Sequence, residues 1–409
     1  MTSEQSTFYF RPPEESGRRI AVAGMPLSSG RCFLSRMPED FVVTPWDVKG
    51  SIDYDRLITQ FGTERITPEL LDRIRRMAGD LHPMLRRGVF YSHRDLNGIL
   101  DRFEKGEKFA LYTGRGPSSG IHIGHMLPWF FTKWLQDKFR ATLYFQITDD
   151  EKFLFKDFDK LDEATKVGYD NILDIIAMGF DPKLTRIFLD TEYIRHLYPI
   201  AVEVAKRITF STTQAVFGFE NSNNIGEIFY TSIQAAPAFL PTVEAGRDVP
   251  VLIPCGIDQD PHFRVARDVA PRLGYPKPAL IHNKLLPSLL GPTGKMSASI
   301  PESSIFTTDT EAQAQKKIMN AFTGGRATVE EQRRLGANPY ICSIFGQYNY
   351  IFEPDDGHLA EVERTCKSGE RLCGDCKTEL WGKVRTWLKG HHAAREKAKD
   401  RIEEFIVRD

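Results

Sequence analysis

Two short stretches of this sequence combine residue types suited to holding a phosphate ester. The first runs Gly114-Arg115-Gly116-Pro117-Ser118-Ser119-Gly120-Ile121-His122-Ile123-Gly124-His125. It follows an apolar run and opens an amphipathic one, so its loop amides and a helix start would face outward together. A helix start carries partial positive charge and unpaired N–H groups, which makes an anion site. His122 and His125, three apart, would share the first turn, and both can donate to phosphate oxygens. Gly124 lets a ligand approach the helix backbone. Gly-Pro-Ser-Ser-Gly is also an ordinary loop composition, and histidines can cap a helix. The placement between a strand and a helix favours the anion site.

The second stretch is Gly291-Pro292-Thr293-Gly294-Lys295-Met296-Ser297-Ala298-Ser299. Flanking glycines predict a mobile loop. Lys295 supplies a compact cation that can move with it, and Ser297 and Ser299 add donors. The GxxxxGK[ST] spacing of a Walker loop is absent. Alone, such a loop is most simply a solvated turn. Two anion sites at the carboxyl edge of one parallel sheet fit a nucleotide bound across its topological switch point. The natural chemistry is attack on the α-phosphate of ATP with pyrophosphate leaving, a reaction that needs positioning and charge stabilisation more than covalent help.

Two further groups stay open. Asp149-Asp150-Glu151 closes an apolar run and can cap the next helix, bind Mg²⁺ or contact substrate. Cys342, Cys366, Cys373 and Cys376 are spaced C-x23-C-x6-C-x2-C. Four cysteines this close in a chain of reducing surroundings suggest a metal more than disulfides. One short knuckle, Cys373-x2-Cys376, suits zinc less well than two would. Four thiolates also suit a [4Fe–4S] cluster, and unliganded thiols are the third reading. Cys32 and Cys255 are isolated.

The elements that must position these residues are legible in outline. Short apolar runs at 109–113, 142–148, 186–190, 250–254 and 279–283 alternate with helical runs at 124–139, 164–178, 194–208 and 228–239. That texture predicts an α/β fold, a Rossmann-like parallel sheet covered on both faces. After 283 the pattern is helical: 311–322, 341–352, 359–366 and a long final stretch. There Leu380, Val384, Trp387, His391, Ala394, Ala398, Ile402 and Phe405 fall on one stripe. Earlier in the chain, 40–48 reads as a short strand or hairpin, and 53–61 and 68–77 as helices. The expected organisation is a flexible tail at 1–38, an N-terminal extension at 39–108, a catalytic domain at 109–306 and an all-helical C-terminal domain at 307–409.

Composition excludes other classes. The chain has 409 residues, 41% hydrophobic and 27% charged, so it is not a mainly disordered chain. No apolar run approaches the ~20 residues that span a bilayer. Lys+Arg is 54 against Asp+Glu 55, a net charge of -1, so nucleic acid would be met by a local patch. The N-terminal residues lack an apolar signal core, and the cytosol is the default.

The two loops resemble the paired signatures of class I aminoacyl-tRNA synthetases. The strings LYTGRGPSSGIHIGH, FQITDDEK, SIQAAPAF, CGIDQDPHFRVARDVAPRLGYPKPALIHNKLLP and KMSASIPESSIF resemble tryptophanyl-tRNA synthetases of the eukaryotic and archaeal type. Tyr91-Ser92-His93-Arg94-Asp95-Leu96-Asn97 is a further family string. The resemblance runs from about 39 to 322, and more loosely beyond. It implies ATP-dependent activation of L-tryptophan and transfer to tRNA(Trp), with Mg²⁺ beside ATP, and a homodimer. Tyr112 and Gln146 would meet the indole edge. Glu151, Gln234 and Gln259 would hold the amino and carboxylate groups, with Asp258 beside them. Gly116, Ser118, His122, Gly124, His125, Gly256, Lys295, Met296, Ser297 and Ser299 would bind ATP, His122, His125 and Lys295 in catalytic roles. The C-x6-C-x2-C run resembles the cluster pattern of a subset of these enzymes, mostly bacterial, that carry a [4Fe–4S] centre.

The chemistry is consistent with that transfer. An indole offers one N–H and a flat apolar body, so its slot needs one or two acceptors at an apolar end. No editing domain is expected, because smaller amino acids leave such a slot unfilled. On the RNA side, Arg73, Arg75, Arg76, Arg86 and Arg87 form a basic stretch that reads equally as a phosphate contact or a solvated helix face. Tyr340, Phe345, Tyr348 and Tyr350 are aromatics for base stacking or, for most, core packing. Three rivals remain: a tyrosyl-tRNA synthetase, a small-molecule nucleotidylyltransferase and a non-catalytic RNA-binding paralogue.

Overall fold

All five apolar runs form strands in the computed structural model of the chain, which describes residues 41–43, 48–50, 52–155, 157–292 and 295–409. The tail expected at 1–38 lies outside the described residues. In chain order the strands are β1 (Phe41–Val43), β2 (Val48–Gly50), β3 (Glu64–Arg65), β4 (Phe90–Arg94), β5 (Ala110–Arg115), β6 (Thr142–Ile147), β7 (Thr185–Leu189), β8 (Val251–Gly256) and β9 (Ala279–Asn283). The last five are buried along nearly their whole length, as strands covered on both faces must be. They pair in parallel in the order β9-β8-β5-β6-β7. The first strand of the set therefore lies in the middle, and the connections reverse direction between β5 and β8. Ligands of open α/β sheets bind at the carboxyl ends of strands at such a point.

The helices that matter to the site are α1 (Ile123–Phe139), α2 (Asp149–Leu154), α3 (Leu161–Ala177), α4 (Ile225–Ala235) and α5 (Asp260–Leu273); α6 (Asp356–Ser368) and α7 (Cys373–Ala398) follow the sheet. The residues from Asp40 to Asp409 form one compact unit.

Three expectations need correction. First, the sheet is not wholly parallel. β3 and β4 extend it to seven strands, β4 lying antiparallel to β9. The Tyr91–Arg94 segment is polar for a buried strand, and Ser92, His93 and Arg94 find their partners inside the fold. Ser92 Oγ lies 3.1 Å from His282 Nδ1. Arg94 donates to both oxygens of Asp260 at 2.7 and 2.8 Å and to Gly62 O at 3.0 Å. Burial alone would raise the Asp260 carboxyl, but the hydrogen bonds from Arg94 and His282 hold it down at about 2. The Asp260 side chain is 1% exposed and that of Arg94 13%. Arg94→Ala is therefore expected to destabilise the protein by about 3–5 kcal/mol, the cost of leaving a buried carboxylate unpaired; a urea midpoint close to wild type would contradict this.

Second, the final stripe does not run to Phe405. Leu380, Val384, His391 and Ala398 are buried on α7 as expected, and His391 Nε2 sits 2.7 Å from Asp174 Oδ1 on α3. The helix then ends at Ala398, and Ile402 falls in a 3₁₀ turn. The chain comes back along the free edge of β7, where Ile187 N donates to Phe405 O and Val407 N to Ile187 O, both at 2.8 Å. Covering that edge removes a template for unwanted strand pairing.

Third, most of the basic stretch is committed internally. Arg73 pairs with Asp101 and Glu104, and Arg75 with Asp72. Arg86 and Arg87 both pair with Asp356 at the start of α6. Arg87 also donates to the carbonyls of Asn349 and Glu353 at 3.0 and 2.6 Å. These two arginines clamp the N-terminal extension to the helical region.

Candidate active site

β5 delivers its last residues, Gly114 and Arg115, to the switch point, and the loop that follows is pinned at its far end. Thr307 N donates to Ile121 O at 2.8 Å and Ile123 N to Ile305 O at 3.0 Å. This fixes His122 as the N-cap of α1. The rings of His122 and His125 stack with centroids 3.5 Å apart. A Cβ on Gly124 would lie 3.0 Å from His122 Nδ1, so glycine is what permits that stacking. His122 is 2% exposed, and among the described residues neither of its ring nitrogens finds a hydrogen-bond partner. Buried polar atoms are ordinarily paired; these line a cleft. Burial, aided by the Arg115 charge, pulls His122 down to about 3 and His125 well below its ordinary value. Both imidazoles are neutral, each with one N–H to donate.

The opposite wall comes from β8 and the lysine loop. Gly256 ends β8, and a Cβ there would come 2.4 Å from Asp258 Oδ1. Lys295 Nζ donates to Asp258 Oδ2 at 3.1 Å, and Met296, 3% exposed, packs behind it. The turn at 293–294 lies outside the described residues. One cleft of about 510 Å³ is lined by Gly116, His122, Gly124 and His125 on one side and Gly256, Asp258, Gln259, Lys295 and Met296 on the other. The two motifs, far apart in sequence, meet there.

The deep end of the cleft is polar and ordered. Glu151, Tyr230 and Gln234 line it. Glu151 accepts from Thr148 Oγ1 at 2.5 Å and from the Tyr230 hydroxyl at 3.3 Å. The Tyr230 hydroxyl also donates to Gln234 Oε1. Tyr112 and Gln146 lie beneath, both fully buried, with Tyr112 O–H donating to Gln146 Oε1 at 2.5 Å. The acidic triplet divides its labour. Asp149 accepts from Thr165 Oγ1 at 2.9 Å and Thr191 Oγ1 at 2.5 Å, tying α2 to α3 and to the end of β7. Asp150 lies against Asp190. Burial pushes Asp150 up to about 7. Burial, then the neighbouring Asp150 charge, pushes Asp190 well above its ordinary value. Two like carboxyls out of water keep a proton between them.

Three of the residues expected at ATP lie outside the cleft wall. Ser118 Oγ donates to Gly120 O at 3.0 Å and accepts from Arg115 Nη2 at 2.7 Å, closing its own loop. Ser297 and Ser299 hydroxyls pair with each other at 2.8 Å. Residues that sequence reasoning missed include Arg115 and Lys152 on the wall and Asp190 beneath it. Burial draws Arg115 down to about 10, still a cation at neutral pH. Its position inside the glycine-rich loop was the available signal.

Residues 104–389 match the family of class I tRNA synthetases for tryptophan and tyrosine. A tryptophan–tRNA ligase of Pyrobaculum calidifontis is 53% identical over 90% of this chain and 98% of its own. The chain belongs to the tryptophan–tRNA ligase family. The shared architecture extends to solved structures of that family. Tryptophanyl-tRNA synthetase from Giardia lamblia is 39% identical, with a TM-score of 0.82 over 87% of this chain and 96% of that one. The enzyme from Encephalitozoon cuniculi, bound to tryptophan, is 38% identical, with a TM-score of 0.80 over 87% and 98%. The family accounts for the joint appearance of the histidine and lysine loops. The match also continues through the helical region after β9, which a small-molecule nucleotidylyltransferase would not need. Among the described residues no helix is long and apolar enough to cross a membrane.

Proposed function

We propose that this tryptophan–tRNA ligase activates L-tryptophan with ATP in the switch-point cleft and then charges tRNA(Trp). The observation that carries the reading is the meeting of His122, Gly124 and His125 with Lys295 and Met296 around one cleft. A tryptophan carboxylate oxygen bonds to the α-phosphorus while the bond from that phosphorus to the β-bridging oxygen breaks, releasing pyrophosphate. A ribose hydroxyl of the tRNA then attacks the activated carbonyl, and AMP leaves. The neutral histidines donate single hydrogen bonds to phosphate oxygens. The positive charge comes from Lys295, Arg115 and Lys152, groups preset where negative charge builds in the transition state. Glu151, Gln234 and Gln259 hold the amino-acid head, Asp258 beside them. Tyr112 and Gln146 meet the indole N–H. Mg²⁺ with the ATP, a homodimer and a cytosolic setting follow on the family's account.

The test is amino-acid-dependent ATP–pyrophosphate exchange across all twenty amino acids, followed by tRNA aminoacylation. Turnover with tryptophan and charging of tRNA(Trp) is the expected result. Tyrosine-only turnover, or no exchange at all, would overturn it.

We also propose an iron–sulfur cluster on Cys342, Cys366, Cys373 and Cys376. All four line one small apolar hollow, with Phe345, Tyr348 and Arg371 on its walls. No three of these sulfurs fall within 4.8 Å of one another. Structural zinc sites usually bring two short knuckles, and only Cys373-x2-Cys376 is one, so the spacing suits a cluster better. Burial pushes the Cys366 thiol up to about 11 and Cys376 to about 12, so they stay protonated unless a cationic core displaces the protons. When bound, such a cluster would tie the turn before Ser343 to α6 and to the first turn of α7. Anaerobically purified protein is expected to be brown, with about four irons per chain. Colourless protein with four titratable thiols and no metal would end the idea.

A further inference from the structure

Beneath the cleft a hydrogen-bond relay runs inward from the wall to a buried acid pair. The Tyr230 hydroxyl donates to Gln234 Oε1. Gln234 Nε2 donates to the Tyr112 oxygen at 3.0 Å, and Tyr112 O–H donates to Gln146 Oε1 at 2.5 Å. Gln146 Nε2 in turn donates to Asp190, at 2.8 Å from Oδ1 and 2.9 Å from Oδ2. Apart from the longer 3.3 Å contact of the Tyr230 hydroxyl with Glu151, every donor in the relay points away from the cleft. Tyrosine hydroxyls and glutamine amides can each run in either direction, so none of them chooses this polarity. A carboxyl can. Asp190 is fully buried, and its proton, when it carries one, is taken by Asp150. Toward Gln146 it can therefore only accept.

We propose that Asp190 is a positioning residue for amino-acid selection: it fixes the Gln146 amide so that Oε1, and not the N–H, faces the indole slot. The backbone above is cut away to match. Gly114 lines the cleft, and a Cβ there would sit 3.6 Å from Gln146 Oε1 and 3.1 Å from its backbone oxygen. With bare glycine the acceptor stays approachable from the cleft. A slot ending in acceptors selects a ring N–H and rejects a bicycle without one, because a buried acceptor left unpaired is costly. If the amide were free to flip, it would present a donor instead, and the selection would weaken without any loss of shape.

The inference rests on the reading that Gln146 meets the indole, so the experiment separates the two. ATP–pyrophosphate exchange is measured with L-tryptophan and with 3-benzothienyl-L-alanine, in which sulfur replaces the ring N–H. Wild type is expected to prefer tryptophan in kcat/KM by about 100-fold or more. Asp190→Ala should reduce that preference by about tenfold or more, through a lower kcat/KM for tryptophan with the analogue much less affected. Asp190→Asn keeps an N–H for Asp150 and a carbonyl for Gln146, and should restore the preference to within about threefold of wild type. Asp190→Thr, similar in size, replaces the alanine variant if that one does not fold. Equal losses for both substrates in Asp190→Ala, or an unchanged ratio, would make Asp190 merely structural and overturn the inference. A ratio unchanged in Gln146→Ala would instead overturn the reading of the slot.

Discussion

Lys295→Ala is expected to lower kcat for tryptophan-dependent ATP–pyrophosphate exchange by about 10²–10³-fold, the loss typical of one preset stabilising group. The Lys295 side chain is 34% exposed and that of its partner Asp258 9%, so losing the pair should cost the fold less than losing the more deeply buried Arg94–Asp260 pair. KM for tryptophan should also hold, because the role proposed for the lysine is at the phosphates of ATP. The second half-reaction gives an internal control. Once the adenylate exists, pyrophosphate has gone and no charge builds on its oxygens. Transfer from preformed tryptophanyl-adenylate to tRNA should then run near the wild-type rate in a single-turnover experiment. Lys295→Arg should recover part of the exchange at most, since a planar guanidinium does not replace a compact ammonium at a point of close approach. A Lys295→Ala enzyme with unchanged kcat would remove the lysine from the reaction.

The chemistry-bearing residues differ in how far they can be read without coordinates. His122, His125 and Lys295 are legible because histidine and lysine in glycine-bounded loops beside a strand have few other uses. The sheet is legible for the same kind of reason: five apolar runs at βα spacing leave one economical topology. Gln146 and Gln234 are different. An isolated glutamine carries no signal of its own, and only the family strings single them out. Asp190 was invisible because it closes the run at 186–190 as a charged strand end, and nothing local says that its partners are Gln146 on the neighbouring parallel strand and Asp150 just beyond that strand. Arg94 and Ser92 were silent for another reason. A polar segment carries no strand signal, and only their partners on β9 and α5, distant in sequence, make a buried strand possible. Ile402 and Phe405 kept the helical stripe while the chain itself turned back to close the sheet edge. In each miss, a long-range partner overrode a local pattern.

The buried neutral histidines predict a marked acid sensitivity, with a sign that can be isolated. Burial lowers His82 and His262 from 6.5 to about 4, and His122 to about 3, with the Arg115 charge adding to its burial. In the unfolded chain each imidazole takes up a proton as the pH falls through 6.5, while its folded counterpart refuses it. The unfolded state thus binds more protons throughout that window, and stability is complete above it and lost as the pH falls. For one such histidine the loss between about pH 7 and about pH 5 is about 2 kcal/mol. Asp150 and Asp190 oppose this. Their raised values make the folded state the better proton binder between the ordinary carboxylate range and about 7, so acidification relieves their burial and returns some stability. The net slope is a difference, and the test therefore compares variants rather than absolute values. Unfolding free energies from urea titrations at both pH values should converge by about 2 kcal/mol in His262→Gln relative to wild type, and should diverge in Asp150→Asn, which removes the opposing group. Parallel slopes in wild type and His262→Gln would show that this imidazole is charged in the folded protein and overturn the prediction.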